Sequence, residues 1–549
     1  MSSCRESVDV RRCRGLRLCI RGMVQGVGFR PFLWRLARDC GLRGTVRNDG
    51  RGVVVEAWGE AAALEELLHR LRAEAPPAAR IEAIQCASLA GDAAPADFRI
   101  QPSRGGEACA GVMPDAATCP DCLAEILDPG NRRHRHPFAA CARCGPRLSI
   151  LRAMPYDRHH TSMADFPLCP ACAEEYRDPG DRRFHAQPVA CPDCGPRLWL
   201  EDAEGKVFPG DPVTTARRLL QAGHILAVKG LGGFHLACDA SSESAVARLR
   251  ARKGRIHKPF ALLARDCAMV ARHARLDDTA RALLESAAAP VVLLPARRHH
   301  GLAPSVAPGQ DSLGFMLPCT PLHHLLMEAM TAPLVFTSGN RSEAPPCITN
   351  DEARDRLAAI ADYWLFHDRD IVHRLDDSVV RVMAGRPRLL RRARGYVPEG
   401  LRLPEDFACA PPLLAMGSDL KHTFCLVRDG QAVVSQHLGD LEEATVHNAC
   451  QETLDRYLRL FHHRPAAVAV DLHPRYFSTR LGEQLAQIQD LPLVRVQHHH
   501  AHVAAVMAEY GLGPQARVLG VALDGLGLGD DGTLWGGEFL DAGYGGFRR

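Results

Sequence analysis

Residues 119–148 read CPDCLAEILDPGNRRHRHPFAACARCGPRL, and residues 169–198 read CPACAEEYRDPGDRRFHAQPVACPDCGPRL. The two stretches share one cysteine ruler, C-x2-C-x18-C-x2-C, together with a DPG turn and a closing CGPRL. A CxxC knuckle lets two thiolates converge on one ion, and a second knuckle completes the tetrahedral sulfur shell that structural Zn²⁺ prefers. The duplication therefore predicts two structural zinc ions, with ligands drawn from Cys119, Cys122, Cys141, Cys144, Cys169, Cys172, Cys191 and Cys194. The spacing leaves open whether each ion is held within one repeat or by knuckles exchanged between repeats. Within the first copy the basic run NRRHRH, residues 131–136, is expected to be a solvated loop.

The rest of the chain is read outward from this module. With 549 residues, 46% of them hydrophobic, it has material for several separate cores, roughly three to five domains. No run approaches the ~18 apolar residues of a membrane span, and the opening MSSCRESVDVRRCRG has no apolar stretch to act as a signal peptide. A cytoplasmic protein with no membrane partner is expected. The cysteines outside the two repeats are scattered, which suits a reducing compartment. A formal charge of +3 gives no general drive toward nucleic acid.

Turn-rich stretches divide the chain into four, a multidomain arrangement of α/β and α+β parts. Residues 15–102 alternate strands (LRLCI, GTVRN, GVVVEAW) with helical patterns (FRPFLWRLARDCG, AAALEELLHRLRAEA), as in a small α/β sandwich. The duplicated module fills 103–200. From 201 to 402, helices and apolar strands alternate, beginning with TTARRLLQAGH and ILAVKG. After the link LPEDFACAPP, residues 410–549 open with a hairpin turning at Asp429-Gly430 and read as the start of another α/β domain.

Three stretches carry chemistry. The first is RGMVQGVGFRP, Arg21 to Pro31. In a glycine-rich turn from strand to helix, backbone N–H groups can close around phosphate oxygens, and Arg30 at the helix start supplies a two-pronged cation. This string, with Asn48 following 18 positions after Arg30, closely resembles the acylphosphatase signature. The resemblance implies a ferredoxin-like domain in which Arg30 holds the phosphate and Asn48 orients the attacking water. Thr45 stands where that family usually carries an aromatic residue.

The second comprises ILAVKGLGGFHLACDA, LRARKGRIHKPFALLARD and LVFTSGNRSEAPP, with HRLDDSV and LLRRARGYVP farther on. Together these resemble the YrdC-like domain, which makes acyl-adenylates from ATP. By that resemblance Lys253, Arg255, Ser338 and Asn340 bind the nucleotide, Lys229 and Lys258 add positive charge, and Mg²⁺ accompanies the ATP. Ile256 replaces a frequent proline.

The third is LVRVQHHHAHVAAVMAEYG, a strand feeding a helix, followed by LGVALDGLGLGDDGTLWGGEF. His498 and His502 are four apart and project from one helical face, so they can clasp one metal ion, with Asp524 as a hard oxygen ligand. His499 and His500 are weaker candidates. With GSDLKHTF these motifs resemble the TsaD/Kae1-like carbamoyltransfer domain of the actin and hexokinase superfamily, which implies Fe or another divalent metal at the histidines and Lys421 by the first phosphate-facing hairpin.

The order of parts is similar to that of the HypF family of carbamoyltransferases, which mature nickel-iron hydrogenases. That resemblance implies hydrolysis of carbamoyl phosphate at Arg30 and Asn48, activation of carbamate by ATP as carbamoyl-adenylate, and transfer of the carbamoyl group to the C-terminal cysteine of the partner HypE. Two rival readings are a tRNA threonylcarbamoyladenosine-type enzyme, which has no need of an acylphosphatase domain, and a zinc-linked scaffold, against which the retained Arg30, Lys253, His498 and His502 argue. The chain ends at GYGGFRR, just after the second lobe of the last domain begins. On that reading the far side of the cleft is expected to be missing, leaving the histidine site open and apolar strand surface unpaired.

Overall fold

The computed structural model describes residues 15–49, 52–76, 79–89, 95–102, 112–342 and 344–549. Strand β1 (Gly15–Met23) leads into helix α1 (Phe29–Asp39), followed by β2 (Arg43–Asp49), β3 (Gly52–Trp58), α2 (Ala61–Ala73), β4 (Arg80–Ser88) and β5 (Phe98–Ile100). The sheet order is β4-β1-β3-β2-β5, antiparallel except where β5 joins β2, which is the ferredoxin-like arrangement. Period-two alternation turns Leu16, Leu18 and Ile20 of β1 inward, where they meet Phe29, Leu33 and Leu36 of α1 and Leu64, Leu67 and Leu71 of α2. Each such side chain contributes roughly 1.5–3 kcal/mol on burial. Between β1 and α1, Gly26 and Gly28 take left-handed backbone angles (φ 74° and 71°) that glycine adopts without steric cost, and they curl the chain about the start of α1.

The two cysteine repeats fold alike. Each first knuckle opens a short helix with proline in its first turn, α3 (Pro120–Leu127) and α4 (Pro170–Arg177). In each DPG turn the glycine N–H donates to the aspartate side chain, Gly130 to Asp128 at 2.9 Å and Gly180 to Asp178 at 2.8 Å. The run NRRHRH, expected to be a solvated loop, is drawn inward at Arg133 and His136, while Arg132 and His134 are exposed as expected. The reason is an exchange of arginines between the repeats. Arg132 and Arg133 of the first repeat reach Glu175 of the second, Arg133 Nη1 donating to Oε1 at 2.9 Å. Reciprocally, Arg182 and Arg183 of the second reach Glu125 of the first.

A ten-stranded sheet follows. Its strands are β6 (Leu198–Asp202), β7 (Leu226–Lys229), β8 (Phe234–Asp239), β9 (Ala261–Leu263), β10 (Val291–Pro295), β11 (Ser312–Met316), β12 (Leu334–Ser338), β13 (Tyr363–His367), β14 (Val379–Met383) and β15 (Arg386–Arg391). Their order is β15-β14-β10-β11-β9-β12-β8-β7-β13-β6. Because β6 leaves the second CGPRL knuckle directly and pairs with β13, this sheet begins at Leu198 and not at residue 201. Ile126 and Ala139 of the first repeat belong to the same core as Leu226, Leu236 and Phe336, so module and sheet bury one continuous apolar interior. Helix α5 (Pro212–Gln221) is capped by Asp211, and α6 (Glu243–Lys253) by Ser242.

The described residues from 15 to 342 and from 346 to 396 form one compact unit, and those from 397 to 549, with 344–345, another. In the second unit, β16 (Leu401–Arg402), β17 (Leu413–Ala415), β18 (Cys425–Arg428), β19 (Gln431–Val434), β20 (Ala467–Asp471) and β21 (Leu493–Val496) form a sheet ordered β16-β19-β18-β17-β20-β21. Pairing of β16 with β19 places residues 401–402 in this sheet, short of the boundary at 402 read from the sequence. Asp429 and Gly430 turn the β18–β19 hairpin with φ of 53° and 72°, both left-handed, as a two-residue hairpin loop requires. Strands β17, β20 and β21 run parallel, the start of an actin-like lobe, with helices α7 (Ala444–Leu460) and α8 (Phe477–Ile488) between them in sequence. Helix α9 (His498–Glu509) precedes a three-stranded sheet of β22 (Val518–Leu528), β23 (Leu534–Gly543) and β24 (Gly546–Arg548). On that sheet Leu519, Val521, Leu523 and Phe539 are exposed.

The exchanged arginines yield a stability prediction. Arg133 is only 2% exposed, so Glu175→Ala leaves an unpaired charge inside and should cost about 3 kcal/mol in a denaturant titration. Burial pushes the Glu175 carboxyl up, but hydrogen bonds from Arg133 and Arg132 outweigh it and hold it at about 2. A carboxyl held below its ordinary value stabilises fully above that value, and its contribution fades as pH falls toward 2. Glu175→Gln should therefore flatten the acid limb of the stability profile.

Candidate active sites and metal centres

The turn between β1 and α1 lies beneath the zinc module. Arg30, in the first turn of α1, and Asn48, at the end of β2, line one cavity with Gln25, Gly26, Gly28 and Phe29. The module contributes Arg147, Tyr156, Phe184, His185 and Gln187 among its other walls. Arg30 is 7% exposed, with Asp157 at 3.8 Å. Burial lowers its guanidinium pKa, offset in part by Asp157. The buried Asn48 Oδ1 has no hydrogen-bond partner among the described residues, and neither has Gln25 Oε1. Gln25 Nε2 donates to the carbonyls of Asp49 and Gly52, each at 2.8 Å, which fixes the end of β2 and hence Asn48. Arg147 of the first CGPRL acts as a tie, its Nε donating to Gly26 O at 3.0 Å while its terminal nitrogens donate to the carbonyls of Cys141, Ala142, Cys144 and Pro146.

Each cysteine quartet closes within its own repeat, which answers the question the spacing left open. Cys119, Cys141, Cys144 and Cys122 have sulfurs 3.6–3.8 Å apart, and in the second repeat Cys191 lies 3.7 Å from Cys169 and 3.8 Å from Cys194. Tetrahedral Zn–S bonds of ~2.3 Å would set sulfurs about 3.8 Å apart, so the residues fit zinc. The exchanged arginines also reach these sulfurs. Arg182 donates to Cys122 Sγ at 3.0 Å and Arg132 to Cys172 Sγ at 2.9 Å, each across the repeats.

In the ten-stranded sheet, Lys229, Phe234 and Ser338 stand at adjoining ends of β7, β8 and β12. Lys253, at the end of α6, is 1% exposed and donates to Ser338 O, Asn340 O and Asn340 Oδ1 at 2.6–2.7 Å. Ser338 Oγ donates to the same Asn340 Oδ1. Lys229 is separate from this trio, donating to His367 O at 2.9 Å, and burial lowers it to about 8. Arg255 turns toward the carbonyls of Lys258 and Pro259 and lies over Phe260, while Lys258 is exposed. The string HRLDDSV has a structural part, since Asp377 joins His235 Nε2 at 3.1 Å and Arg394 Nε at 3.0 Å in the interior.

In the second unit His498 Nε2 lies 3.0 Å from Asp524 Oδ2 and 3.2 Å from His502 Nε2, so the three ligand atoms converge. A register shift in β22 between Leu523 and Gly527 holds Asp524, and such bulges re-aim side chains. Sequence reading missed Asp471, at the end of β20, whose carboxylate accepts from His498 Nδ1 at 2.7 Å and raises the His498 pKa. A carboxylate behind a metal-binding histidine is the usual orienting partner, so this set fits a divalent ion. The apolar strand AVAVD ending in aspartate was the available signal. His499 turns away to Gln497 and Trp535, and His500 donates to Gly543 O at 2.7 Å. Lys421 is exposed with left-handed φ of 49°, its N–H on Asp440.

Known families match in this order along the chain. Acylphosphatase covers residues 16–100, the HypF finger 118–151 and 168–201, and the Sua5/YciO/YrdC family, described as telomere recombination, 218–393. The HypF Kae1-like domain covers 408–509, and the second subdomain of the carbamoyltransferase Kae1-like domain covers 520–549. The sequence is 54% identical over 535 residues to carbamoyltransferase HypF of Rhodobacter capsulatus, spanning 97% of this chain and 71% of the relative. The chain belongs to the HypF carbamoyltransferase family. HypF2 of Cupriavidus necator is 50% identical over 96% of this chain and 67% of its own length. A crystal structure of full-length HypF in the phosphate- and nucleotide-bound form aligns with a TM-score of 0.94 at 42% identity, covering 98% of this chain and 70% of that one. T. kodakarensis HypF aligns with a TM-score of 0.89 at 38% identity, covering 96% and 67%. This HypF-family enzyme is thus a carbamoyltransferase with an acylphosphatase domain, and none of its described helices is long and apolar enough to cross a membrane.

The metal centres give the second prediction. Purified protein should carry about two zinc ions per chain, and Cys119→Ser with Cys122→Ser should leave about one, read by elemental analysis. Because the repeats are joined by Arg132, Arg133, Arg182 and Arg183, protection of 169–198 from proteolysis should fall in the same variant.

Proposed function

We propose that this carbamoyltransferase hydrolyses carbamoyl phosphate at Arg30 and Asn48, activates the carbamate with ATP at the Lys253 site, and passes the carbamoyl group from the adenylate to the C-terminal cysteine of HypE, releasing AMP, in cytoplasmic nickel-iron hydrogenase maturation. The observation that carries the reading is the single cavity lined by both Arg30 and Asn48 in the acylphosphatase domain. In the first step Arg30 grips the phosphate bidentately and the backbone N–H groups of the glycine turn complete the cradle. The open Oδ1 of Asn48 accepts a hydrogen bond from water and aims it, giving carbamate and inorganic phosphate.

Carbamate decomposes readily in water, so a product released under the zinc module is shielded from bulk solvent. In the second step carbamate oxygen attacks the α-phosphate of ATP, yielding carbamoyl-adenylate and pyrophosphate. Lys253, Arg255, Ser338 and Asn340 bind the nucleotide in this reading, Lys229 and Lys258 supply further positive charge, and Mg²⁺ travels with the ATP. For the last step, a divalent ion such as iron held by His498, His502 and Asp524 would supply charge stabilisation, with Lys421 near the phosphate-facing hairpin. The solved relative bound to phosphate and nucleotide supports the use of both ligand classes.

Arg30→Ala should abolish phosphate release from carbamoyl phosphate, while Lys253→Ala should spare phosphate release and abolish carbamoyl-phosphate-dependent formation of AMP and pyrophosphate. Equal phosphate release by Arg30→Ala and the parent enzyme would remove the first-site assignment.

A further inference from the structure

The repeats share a backbone but diverge where the second faces the cradle. Arg135 and His185 occupy equivalent positions with similar left-handed angles, φ 58° and 51°. Arg135 points to Asp211 at 2.9 Å and Glu328 at 3.0 Å, whereas His185 lines the cavity above Arg30. The His185 ring is clamped, stacked on Tyr176 with centroids 5.1 Å apart and set edge-on to Phe184 at 4.4 Å. Tyr176 is itself fixed, its hydroxyl donating to Gln187 Oε1 at 2.7 Å, and Gln187 Nε2 donates back to His185 O at 2.9 Å. Although so firmly held, the imidazole nitrogens have no hydrogen-bond partner among the described residues. Burial, followed by the charge of Arg30, brings the ring down to about 4, so it is neutral near pH 7 and keeps one acceptor nitrogen.

An acyl group held on the cradle lies under the His185 ring, which lines the same cavity as Arg30 and Asn48. A benzoyl ring is far larger than a carbamoyl group and would meet the His185 ring, but an acetyl group has the dimensions of a carbamoyl group and must be distinguished chemically. The difference is a methyl against an amino group that donates hydrogen bonds. A site that hydrogen-bonds a substrate N–H disfavours the analogue lacking it, because its own polar group is then left unpaired. We propose that the second zinc repeat makes this site selective for carbamoyl phosphate, with His185 the specificity-determining residue that accepts a hydrogen bond from the carbamoyl amino group. The proposal rests on the reading of Arg30 and Asn48 as an acyl-phosphate hydrolysis site.

The test is phosphate release by the full zinc-loaded chain from carbamoyl, acetyl and benzoyl phosphate. The parent should favour carbamoyl over acetyl phosphate by about tenfold or more in kcat/KM, with benzoyl phosphate poorest. His185→Gly suits the left-handed backbone and removes the ring. It should bring the carbamoyl-to-acetyl ratio to within about threefold and raise benzoyl phosphate turnover about tenfold. His185→Asn also tolerates that backbone and retains an acceptor, so it should keep part of the carbamoyl preference. A purely structural role would lower all three rates together and leave the ratios unmoved, which overturns the proposal, as does a parent enzyme indifferent to the acyl group. Should His185→Gly lose zinc, the parent and His185→Asn ratios decide. A parent that hydrolyses none of the three defeats the underlying site assignment instead.

Discussion

The exchange of arginines across the duplicated module is the constraint on which the first unit depends. Each repeat alone is a short helix and two knuckles with few apolar residues, too little core to stand unaided. Metal sites supply that deficit locally, and the exchange makes the two local solutions one object. Arg132 and Arg182 each touch a sulfur of the opposite quartet, so the charge of one centre is partly balanced by the chain of the other. With Glu125 and Glu175 completing the pairs, neither repeat can turn without leaving a buried guanidinium unpaired.

Rigidity there is transmitted to the chemistry by divergence between the copies. The arginine of the first CGPRL, Arg147, donates to the Gly26 carbonyl in the acyl-phosphate turn. In the second CGPRL the corresponding Arg197 meets Asp368 beside β13 through its backbone N–H. The two closing arginines thus have different neighbours, although both repeats touch both domains: Phe184 and His185 of the second line the cradle, and Ile126 and Ala139 of the first enter the core of the ten-stranded sheet.

Much of this was legible in the chain because local patterns carried it. The cysteine ruler gave the metal quartets, VQGVGFR the turn with its left-handed glycines, and Asp429-Gly430 the hairpin. His498 and His502 converge because residues four apart share a helical face. What escaped the sequence was long-range pairing. The run NRRHRH has the composition of a solvated loop, and only a partner 42 residues away, Glu175, draws Arg133 inside. The roof of the cradle escaped for the same reason, since nothing in FHAQ, residues 184–187, announces that it will lie over Arg30. Domain limits slipped by a few residues where a short strand, such as Leu401–Arg402, joined a sheet across the apparent linker.

Cations drawn into this protein meet two kinds of partner, carboxylates and neutral oxygens. Some cations that serve the fold meet a carboxylate, as Arg133 meets Glu175 and Arg394 meets Asp377, while Arg158 meets the carbonyls of Gln187, Val189 and Phe166. Near the proposed sites the partners are neutral oxygens. Arg147 spends its donors on five carbonyls, Lys229 donates to His367 O, and Lys253 donates to oxygens of Ser338 and Asn340. Carbonyl dipoles satisfy hydrogen-bonding requirements without cancelling a full charge, so the positive potential survives burial. A carboxylate in the same place would have stabilised the empty protein more and repelled each phosphate in turn. Asp157, set 3.8 Å from Arg30, marks the intermediate case, close enough to ease the burial of the guanidinium and too far to occupy its fork at hydrogen-bond distance.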